Sequence, residues 1–337
     1  MEKTFHIQWH ITDNCNLRCR HCYQETFNAK NELPFEETEK IFSNISDFVK
    51  NRGQRLVLDI TGGEPFLHRR WKDIVLLAEN SGIVKELGII TNGFFLNEKN
   101  AGFLGELKSL KVMKISAEGL TRESYEYYRG ADTYEKFISG CETLKRDLPK
   151  ARKMLMFTLT KENAGQIPGL FDFIKEYGFS GFIVERFIPW GAGRAIREAV
   201  VSPAEWRDIL DVLCKKADVE ADIEDLLPYR GFMVRMTSKK IFNLFGAPCI
   251  VGIDGLAVMP DGTVFPCRRF PLAIGNLGKD SLAAIWESSD VLKKARNKLL
   301  LKGKCRECKI TDCNGCRALA YSLTGDFLEE DPLCLLT

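Results

Sequence analysis

Three cysteines near the start of the chain have a spacing that suits an iron–sulfur cluster. Cys15, Cys19 and Cys22 follow the pattern C-x3-C-x2-C. Thiolates on one short loop converge from one side, so each can bind a different iron of a cubane, and one iron then stays open to a small molecule. Most iron–sulfur electron carriers supply four cysteines for each cluster, so three cysteines favour a cluster that binds a substrate or cofactor. Two alternatives stay open here: a zinc ion completed by His10 or His21, and three unrelated core thiols.

A glycine-rich motif follows the second predicted strand, residues 56–60. It consists of Gly62, Gly63, Glu64 and Pro65. The two glycines allow the backbone to approach a ligand closely, and the glutamate can accept a hydrogen bond from an ammonium group. By itself, a segment of this kind is also typical of an ordinary turn between a strand and a helix.

Most of the twelve cysteines of the chain are concentrated in two regions. Seven follow residue 248, and four of these form the pattern C-x2-C-x4-C-x2-C, which is also a zinc spacing. Because the sequence has no export signal, we expect a reducing compartment, where metal binding is favoured over structural disulfides. Only Cys141 and Cys214 stand alone, and we interpret both as core or helix residues. The seven are Cys249, Cys267, Cys305, Cys308, Cys313, Cys316 and Cys334.

The composition indicates a globular chain with room for two domains. It has 337 residues, of which 45% are hydrophobic and 28% charged, values that are ordinary for soluble proteins. A net charge of +2 gives no reason to expect nucleic acid or an anionic membrane as a partner. No apolar run reaches the roughly 18 residues needed to span a bilayer, and the N-terminus lacks signal-peptide character. We therefore expect a cytoplasmic location.

Six predicted strands are each separated from the next by a predicted helix, which indicates parallel strands with right-handed crossovers. The fold class is therefore α/β, a partial (β/α)6 TIM-like barrel, in which functional residues follow the C-terminal ends of the strands. The barrel covers residues 1–195, a helical bridge covers 196–245, and a cysteine-rich domain covers 246–337. The predicted strands are 5–11, 56–60, 86–91, 112–116, 154–160 and 181–187.

The cysteine triad after an apolar first strand resembles the signature of the radical S-adenosylmethionine (SAM) superfamily. The resemblance implies that the open iron chelates the amino and carboxylate groups of SAM. One electron then cleaves the sulfonium to methionine and a 5′-deoxyadenosyl radical, which abstracts hydrogen from an unactivated C–H bond. In that family the motif corresponding to Gly62–Pro65 holds the amino group of SAM.

Further strand ends match weaker features of the same family. Asn92 ends strand three, and Ser116 and Glu118 end strand four, where relatives contact the SAM carboxylate or ribose. Arg129 resembles an arginine that pairs with the carboxylate. The glycine-rich turn 191–193 corresponds to backbone that packs against adenine in relatives. The resemblance thus implies a SAM site built from several strand ends.

The C-terminal cysteines resemble the SPASM extension of radical SAM enzymes, although the last two gaps are each one residue shorter than the usual pattern. The resemblance implies two auxiliary clusters, and so three [4Fe–4S] clusters in all. By position, the first auxiliary set is Cys249, Cys267 and Cys316. The second set is Cys305, Cys308, Cys313 and Cys334.

Auxiliary clusters imply a net oxidation, with the clusters as an electron relay. Our leading hypothesis from the sequence is modification of a ribosomal peptide or protein side chain by a thioether, a C–C crosslink or dehydrogenation. A flavodoxin- or ferredoxin-type protein would donate electrons, and a separate protein would recognise any leader peptide, because strand one begins near residue 5. The alternative is tailoring of a tetrapyrrole or another small cofactor, such as decarboxylation of haem-precursor propionates. A third hypothesis is a non-catalytic iron–sulfur or zinc-binding protein, and no catalytic residue is assigned.

Overall fold

Six parallel strands form the centre of the fold, as the sequence predicts. The computed structural model describes residues 2–239, 241–310 and 312–336. Each of the six strands pairs in parallel with the next one along the chain. The α/β prediction is therefore confirmed, and the sheet is open rather than closed. The strands are β1 (Thr4–His10), β2 (Arg55–Thr61), β3 (Val84–Thr91), β4 (Leu110–Ala117), β5 (Arg152–Leu159) and β6 (Gly181–Arg186).

The crossover helices lie between the strands, as the sequence predicts, with one addition. A short helix between β4 and β5 was not predicted, and it starts at Thr121, whose side chain forms a capping box with Ser124. Such reciprocal capping satisfies two backbone donors that the first turn leaves free. The helices are α1 (Phe35–Asn51), α2 (Trp71–Asn80), α3 (Glu98–Gly105), α4 (Arg122–Arg129), α5 (Tyr134–Asp147) and α6 (Ile167–Glu176).

The segment predicted as a helical bridge, 196–245, is helical only in its first part. It contains α7 (Pro203–Ala217) and α8 (Ile223–Leu226), followed by β7 (Tyr229–Met236) and the start of β8 (Phe242–Pro248). β7 pairs antiparallel with β6, and β8 pairs antiparallel with β7. The prediction was wrong there because this segment forms a strand, in which Phe232 and Val234, two positions apart, are buried on one face.

The other edge of the sheet is formed by the C-terminal part of the chain. β9 (Gly255–Val258) pairs in parallel with β1, and β10 (Thr263–Phe265) and β11 (Gly275–Asn276) follow in antiparallel order. One sheet therefore runs through all three predicted segments, in the order β11-β10-β9-β1-β2-β3-β4-β5-β6-β7-β8. The division into domains stays a prediction. The remaining helices are α9 (Leu282–Ser288), α10 (Asp290–Arg296), α11 (Gly303–Glu307) and α12 (Arg317–Thr324).

Alternation along the strands separates an apolar outer face from a polar inner face. In β1, Phe5, Ile7 and Trp9 are buried in the main core beneath the helices, as expected for one face of a strand. On the inner face, Asp59 accepts hydrogen bonds from His6 Nε2 at 2.9 Å and Lys114 Nζ at 2.6 Å. This polar interior is suited to a ligand. No helix in the described part of the chain is long and apolar enough to cross a membrane.

Candidate active site

A cavity opens at the C-terminal ends of the parallel strands, which is where a fold of this kind places its functional residues. Every cysteine of the N-terminal triad lines it, as do most of the side chains predicted to contact SAM. The structure therefore brings together predicted site residues from as far apart in the chain as Cys15 and Arg129. The predicted residues that line it are Cys15, Cys19, Cys22, Gly62, Gly63, Asn92, Ser116, Glu118 and Arg129.

The three cysteines lie on an irregular loop between β1 and α1. Burial raises the pKa of Cys19 to about 12 and that of Cys22 to about 11, and it also raises the pKa of Cys15. The free thiols are therefore protonated near neutral pH, and metal binding would release these protons. Three thiols from one loop beside a cavity are a donor set that fits an iron–sulfur cluster with one open iron.

Gly62 and Gly63 allow the loop after β2 to pack directly against the cysteine loop. A Cβ atom on Gly62 would lie 2.3 Å from the carbonyl oxygen of Thr12, and one on Gly63 would lie 2.4 Å from that of Asn14. The backbone also pairs here, because Gly63 N donates to Thr12 O and Glu64 N donates to Asn14 O, each at 2.8 Å. The sequence suggested that these glycines make room for a ligand, whereas their closest neighbour is the cysteine loop itself.

The glycine-rich turn after β6 holds the same loop from the other side. Gly191 has φ +57°, and a Cβ atom there would lie 2.4 Å from the backbone of Tyr23. Gly193 N donates to Cys22 O at 2.9 Å. The expected role of this turn was contact with adenine, and its observed contacts are with the cysteine loop. Two glycine pairs therefore fix the loop in position.

Replacing Gly63 by alanine is expected to displace the cysteine loop and to slow SAM cleavage by about 100-fold, because small misplacements at a reactive centre have effects of this order. The φ of Gly63 is compatible with alanine, so the effect is steric. The measurement is 5′-deoxyadenosine release after reduction, with iron content as a second readout. Gly102→Ala is the control, since nothing lies within 4 Å of a Cβ atom there. A wild-type rate in Gly63→Ala would contradict the steric argument.

Glu64 and Pro65 lie behind the cavity wall rather than in it. The carboxylate of Glu64 accepts hydrogen bonds from Thr91 Oγ1 at 2.8 Å and from Asn92 N at 2.9 Å. Burial raises the pKa of Glu64 to about 7 in spite of these bonds. In this structure Glu64 joins the end of β2 to the end of β3. Its contact with SAM stays a prediction.

Glu118 and Arg129 form a buried ion pair at the cavity wall. Arg129 Nη2 lies 2.6 Å from Glu118 Oε2, and His21 Nε2 lies 3.2 Å from Oε1 of the same carboxylate. Burial disfavours the charged form of Glu118, but Arg129 and His21 outweigh it and lower its pKa to about 2. His21, a candidate zinc ligand in the sequence, thus contacts Glu118 through Nε2, while its Nδ1 is buried without a hydrogen-bond partner among the described residues. Ser116 lines the cavity beside this pair.

Three charged residues of the cavity were not predicted as site residues. Glu185 is near the end of β6, and Arg268 and Arg269 directly follow Cys267. Arg268 Nη2 lies 2.5 Å from Glu185 Oε2, and Arg269 Nη2 lies 2.6 Å from Glu185 Oε1. The sequence did contain a signal for them. Glu185 lies in an apolar strand, and two arginines directly follow Cys267. Charged residues of this kind need polar partners when they are buried.

The C-terminal cysteines form two sets close to each other. Cys305, Cys308, Cys313 and Cys334 line a second, small cavity. In the other set, the pKa of Cys249 is raised to about 12. Burial is the largest cause, and the neighbouring Cys316 and Cys267 raise it further. Within the described ranges, no three His, Cys, Asp or Glu side chains are placed to hold a single metal ion. Four thiols around one cavity are a donor set that fits a cubane, in which each thiolate binds a different iron.

The family models match this chain in two places. Residues 9–174 match the model of the radical SAM superfamily, and residues 249–316 match SPASM, an iron–sulfur cluster-binding domain. The chain belongs to the radical SAM superfamily. For this radical SAM protein, SAM and [4Fe–4S] clusters are the cofactors expected from the two domains.

Relatives of this radical SAM protein include a heme synthase and a protein of bacteriocin biosynthesis. The AdoMet-dependent heme synthase of Methanosarcina barkeri is 28% identical, over 98% of this chain and 95% of that protein. The subtilosin biosynthesis protein AlbA of Bacillus subtilis is 25% identical, over 86% of this chain and 60% of AlbA. Among solved structures, Streptococcus suis SuiB bound to its precursor peptide SuiA has a TM-score of 0.75 at 16% identity, covering 100% of this chain and 77% of SuiB. This last similarity concerns the fold alone.

Proposed function

We propose that this protein is an enzyme that tailors a tetrapyrrole by oxidative decarboxylation of propionate side chains of a haem precursor. The observation that carries the proposal is the similarity to a heme synthase over nearly the full length of both chains. The match to AlbA, by contrast, leaves two fifths of AlbA uncovered. The proposal reverses the order of our hypotheses from the sequence, in which peptide modification came first.

The lining of the cavity suits a ligand that is apolar in its body and anionic at its edge. Leu17, Phe27, Ile90, Phe187 and Ile188 supply apolar walls. Two arginines stand in the same cavity, and guanidinium groups match carboxylates in shape and charge. A porphyrin with propionate arms has both properties.

The conversion of a propionate arm to a vinyl group fixes what the site must provide. The arm loses one hydrogen atom, one CO2 and one electron. When bound, SAM and its cluster supply the 5′-deoxyadenosyl radical that takes up the hydrogen atom. The two C-terminal cysteine sets would hold the clusters that accept the electron, which makes three clusters in all. A flavodoxin- or ferredoxin-type donor would supply the electron that starts each turnover.

The residues of this chain position the cofactors and the substrate. The triad of cysteines would hold the SAM-binding cluster, and Gly62, Gly63 and the turn 191–193 keep its loop in place. The Glu118–Arg129 pair leaves Arg129 charged at the wall, where it can attract the SAM carboxylate. The apolar walls exclude water from the substrate radical, which limits side reactions.

Incubation of anaerobically reconstituted enzyme with SAM, dithionite and iron-coproporphyrin III tests the proposal. We expect products that have lost one CO2 and two hydrogens for each converted arm, with one 5′-deoxyadenosine for each, as measured by mass spectrometry. Reactions without SAM are the control. Cleavage of SAM with an unchanged porphyrin would contradict the proposal and return attention to peptide substrates, for which the similarity to AlbA is the supporting observation.

A further inference from the structure

We propose that Arg268 and Arg269 bind a carboxylate of the substrate, and that Glu185 occupies this carboxylate site until the substrate arrives. The ligand class is a carboxylate-bearing tetrapyrrole, and the choice of tetrapyrrole rests on the proposed function above. The assignment of the arginines as the recognition element rests on their geometry in the cavity.

The arginine pair and the predicted SAM contacts line the same cavity but come from different elements of the fold. Gly62, Gly63, Asn92, Ser116 and Arg129 come from the ends of β2 to β4 and from α4. Arg268 and Arg269 come from the C-terminal segment, and they meet Glu185 of β6. Arg129 already has a carboxylate partner in Glu118. The arginine pair is therefore a second cationic site, separate from the one that the resemblance links to SAM.

The charge at this second site is unbalanced. Two guanidinium groups share the single carboxylate of Glu185, each taking one oxygen. Among the described residues, no other carboxylate forms an ion pair with either arginine, and the Nε atoms of both are buried without a hydrogen-bond partner. Burying a cation with unpaired hydrogen-bond donors carries a free-energy penalty unless an anion binds to it. One additional carboxylate would balance the charge.

Contacts with the surrounding protein fix both arginine side chains inside the cavity. Their side chains are 10% and 15% exposed. Arg269 Nη1 donates to the carbonyl oxygen of Arg186 at 2.8 Å, and the Arg268 guanidinium carbon lies 5.8 Å from the centroid of the Tyr23 ring. Groups that are fixed in this way lose little entropy when a ligand binds.

The test measures binding to the anaerobically reconstituted enzyme with SAM present. The probes are coproporphyrin III, which carries four propionates, and its tetramethyl ester, which carries no charge, both in one detergent-containing buffer. We expect Arg268→Gln and Arg269→Gln to weaken binding of the acid by about 10- to 100-fold, the effect of losing a charge-assisted hydrogen bond. Binding of the ester should stay at the weak wild-type level. Arg146→Gln is the matched control, because Arg146 is an exposed residue of α5 that pairs with Asp147.

Glu185→Gln separates recognition from a structural role. If Glu185 competes with the substrate, its neutralisation should tighten binding of the acid several-fold, whereas loss of a purely structural ion pair would weaken it. Iron content and circular dichroism identify variants that do not fold. For any such variant, Arg→Lys is used instead, because lysine keeps the positive charge but cannot bind a carboxylate in the bidentate way of a guanidinium group. We expect the Arg→Lys variants to lose affinity for the acid to an intermediate degree.

The outcomes are distinguishable. Tight binding of the acid by the wild type with no loss in the arginine variants, or equal binding of acid and ester, would overturn this inference and leave the tetrapyrrole proposal standing. Weaker binding in Glu185→Gln would also overturn it. Binding of neither porphyrin by the wild type would overturn both proposals.

Discussion

Replacing Cys19 by alanine is expected to abolish SAM cleavage and to lower the iron content by about four atoms per chain, the content of one cubane. Cys19 is the buried member of the triad, and its loop has no other cysteine that could replace it. Two thiols would hold only two irons of the cluster. The measurements are iron and sulfide analysis of the reconstituted protein and 5′-deoxyadenosine release with dithionite.

Cys214→Ala is the matched control for this prediction. Cys214 lies on α7 and is half-buried, and it belongs to neither the triad nor the C-terminal sets. We expect this variant to retain wild-type iron content and SAM cleavage. Full iron content in Cys19→Ala, or a rate near that of the wild type, would contradict the assignment of the triad as the ligand set.

The framework of the site could be predicted because its signals are local. Each parallel strand is a short apolar run followed by a turn, and the triad and Gly62–Pro65 directly follow such runs. Since parallel strands end at one edge of the sheet, strand order alone brings these motifs together. The family resemblance added roles for individual residues, and the cavity contains most of them.

The parts that the sequence did not reveal depend on contacts between distant segments. Glu185 and Arg268 are 83 positions apart, and nothing local in either segment points to the other. The close contact of Gly63 with Asn14 was not foreseen for the same reason, because Asn14 lies on a different loop. The pair β7 and β8 was missed since the helical signal of α7 was extended beyond its end.

The residue Asp331 illustrates how much of the C-terminal region depends on one such contact. Its Oδ2 accepts hydrogen bonds from Arg186 Nη1 at 2.9 Å, from Arg230 Nη1 at 3.1 Å and from Cys316 N at 2.9 Å. Arg230 Nη2 in turn donates to Cys313 Sγ at 2.9 Å. Asp331 therefore connects β6 and β7 with one cysteine of each C-terminal set.

Charge explains why this carboxylate matters. Burial disfavours its ionised form, but Arg186 and Arg230 outweigh burial and hold the pKa of Asp331 well below its usual range. A carboxyl with a depressed pKa stabilises the fold at neutral pH, and this contribution disappears only as the pH falls below the unfolded value. Without it, two buried guanidinium groups would face each other with no common anion.

Asp331→Asn, which keeps the shape and removes the charge, is therefore expected to destabilise the protein by about 3–5 kcal/mol, the usual result of leaving a buried charge without its partner. The corresponding fall in melting temperature is on the order of 10 °C. Iron should be lost from the C-terminal sets first, because the Asp331 carboxylate accepts from Cys316 N and from Arg230, which in turn donates to Cys313 Sγ. Thermal unfolding followed by circular dichroism, together with iron analysis, measures both effects.

Asp326→Asn makes the same chemical change at an exposed ion pair with Lys302. Pairs of this kind contribute about 0–1 kcal/mol, so we expect a small shift and unchanged iron content. The comparison contrasts a buried carboxylate that two arginines share with an exposed one that pairs with a single lysine. If Asp331→Asn unfolded at the wild-type temperature with all of its iron, Asp331 would not be the residue that connects the cysteine sets to the sheet, and the two sets would have to be held by their own helices and loops.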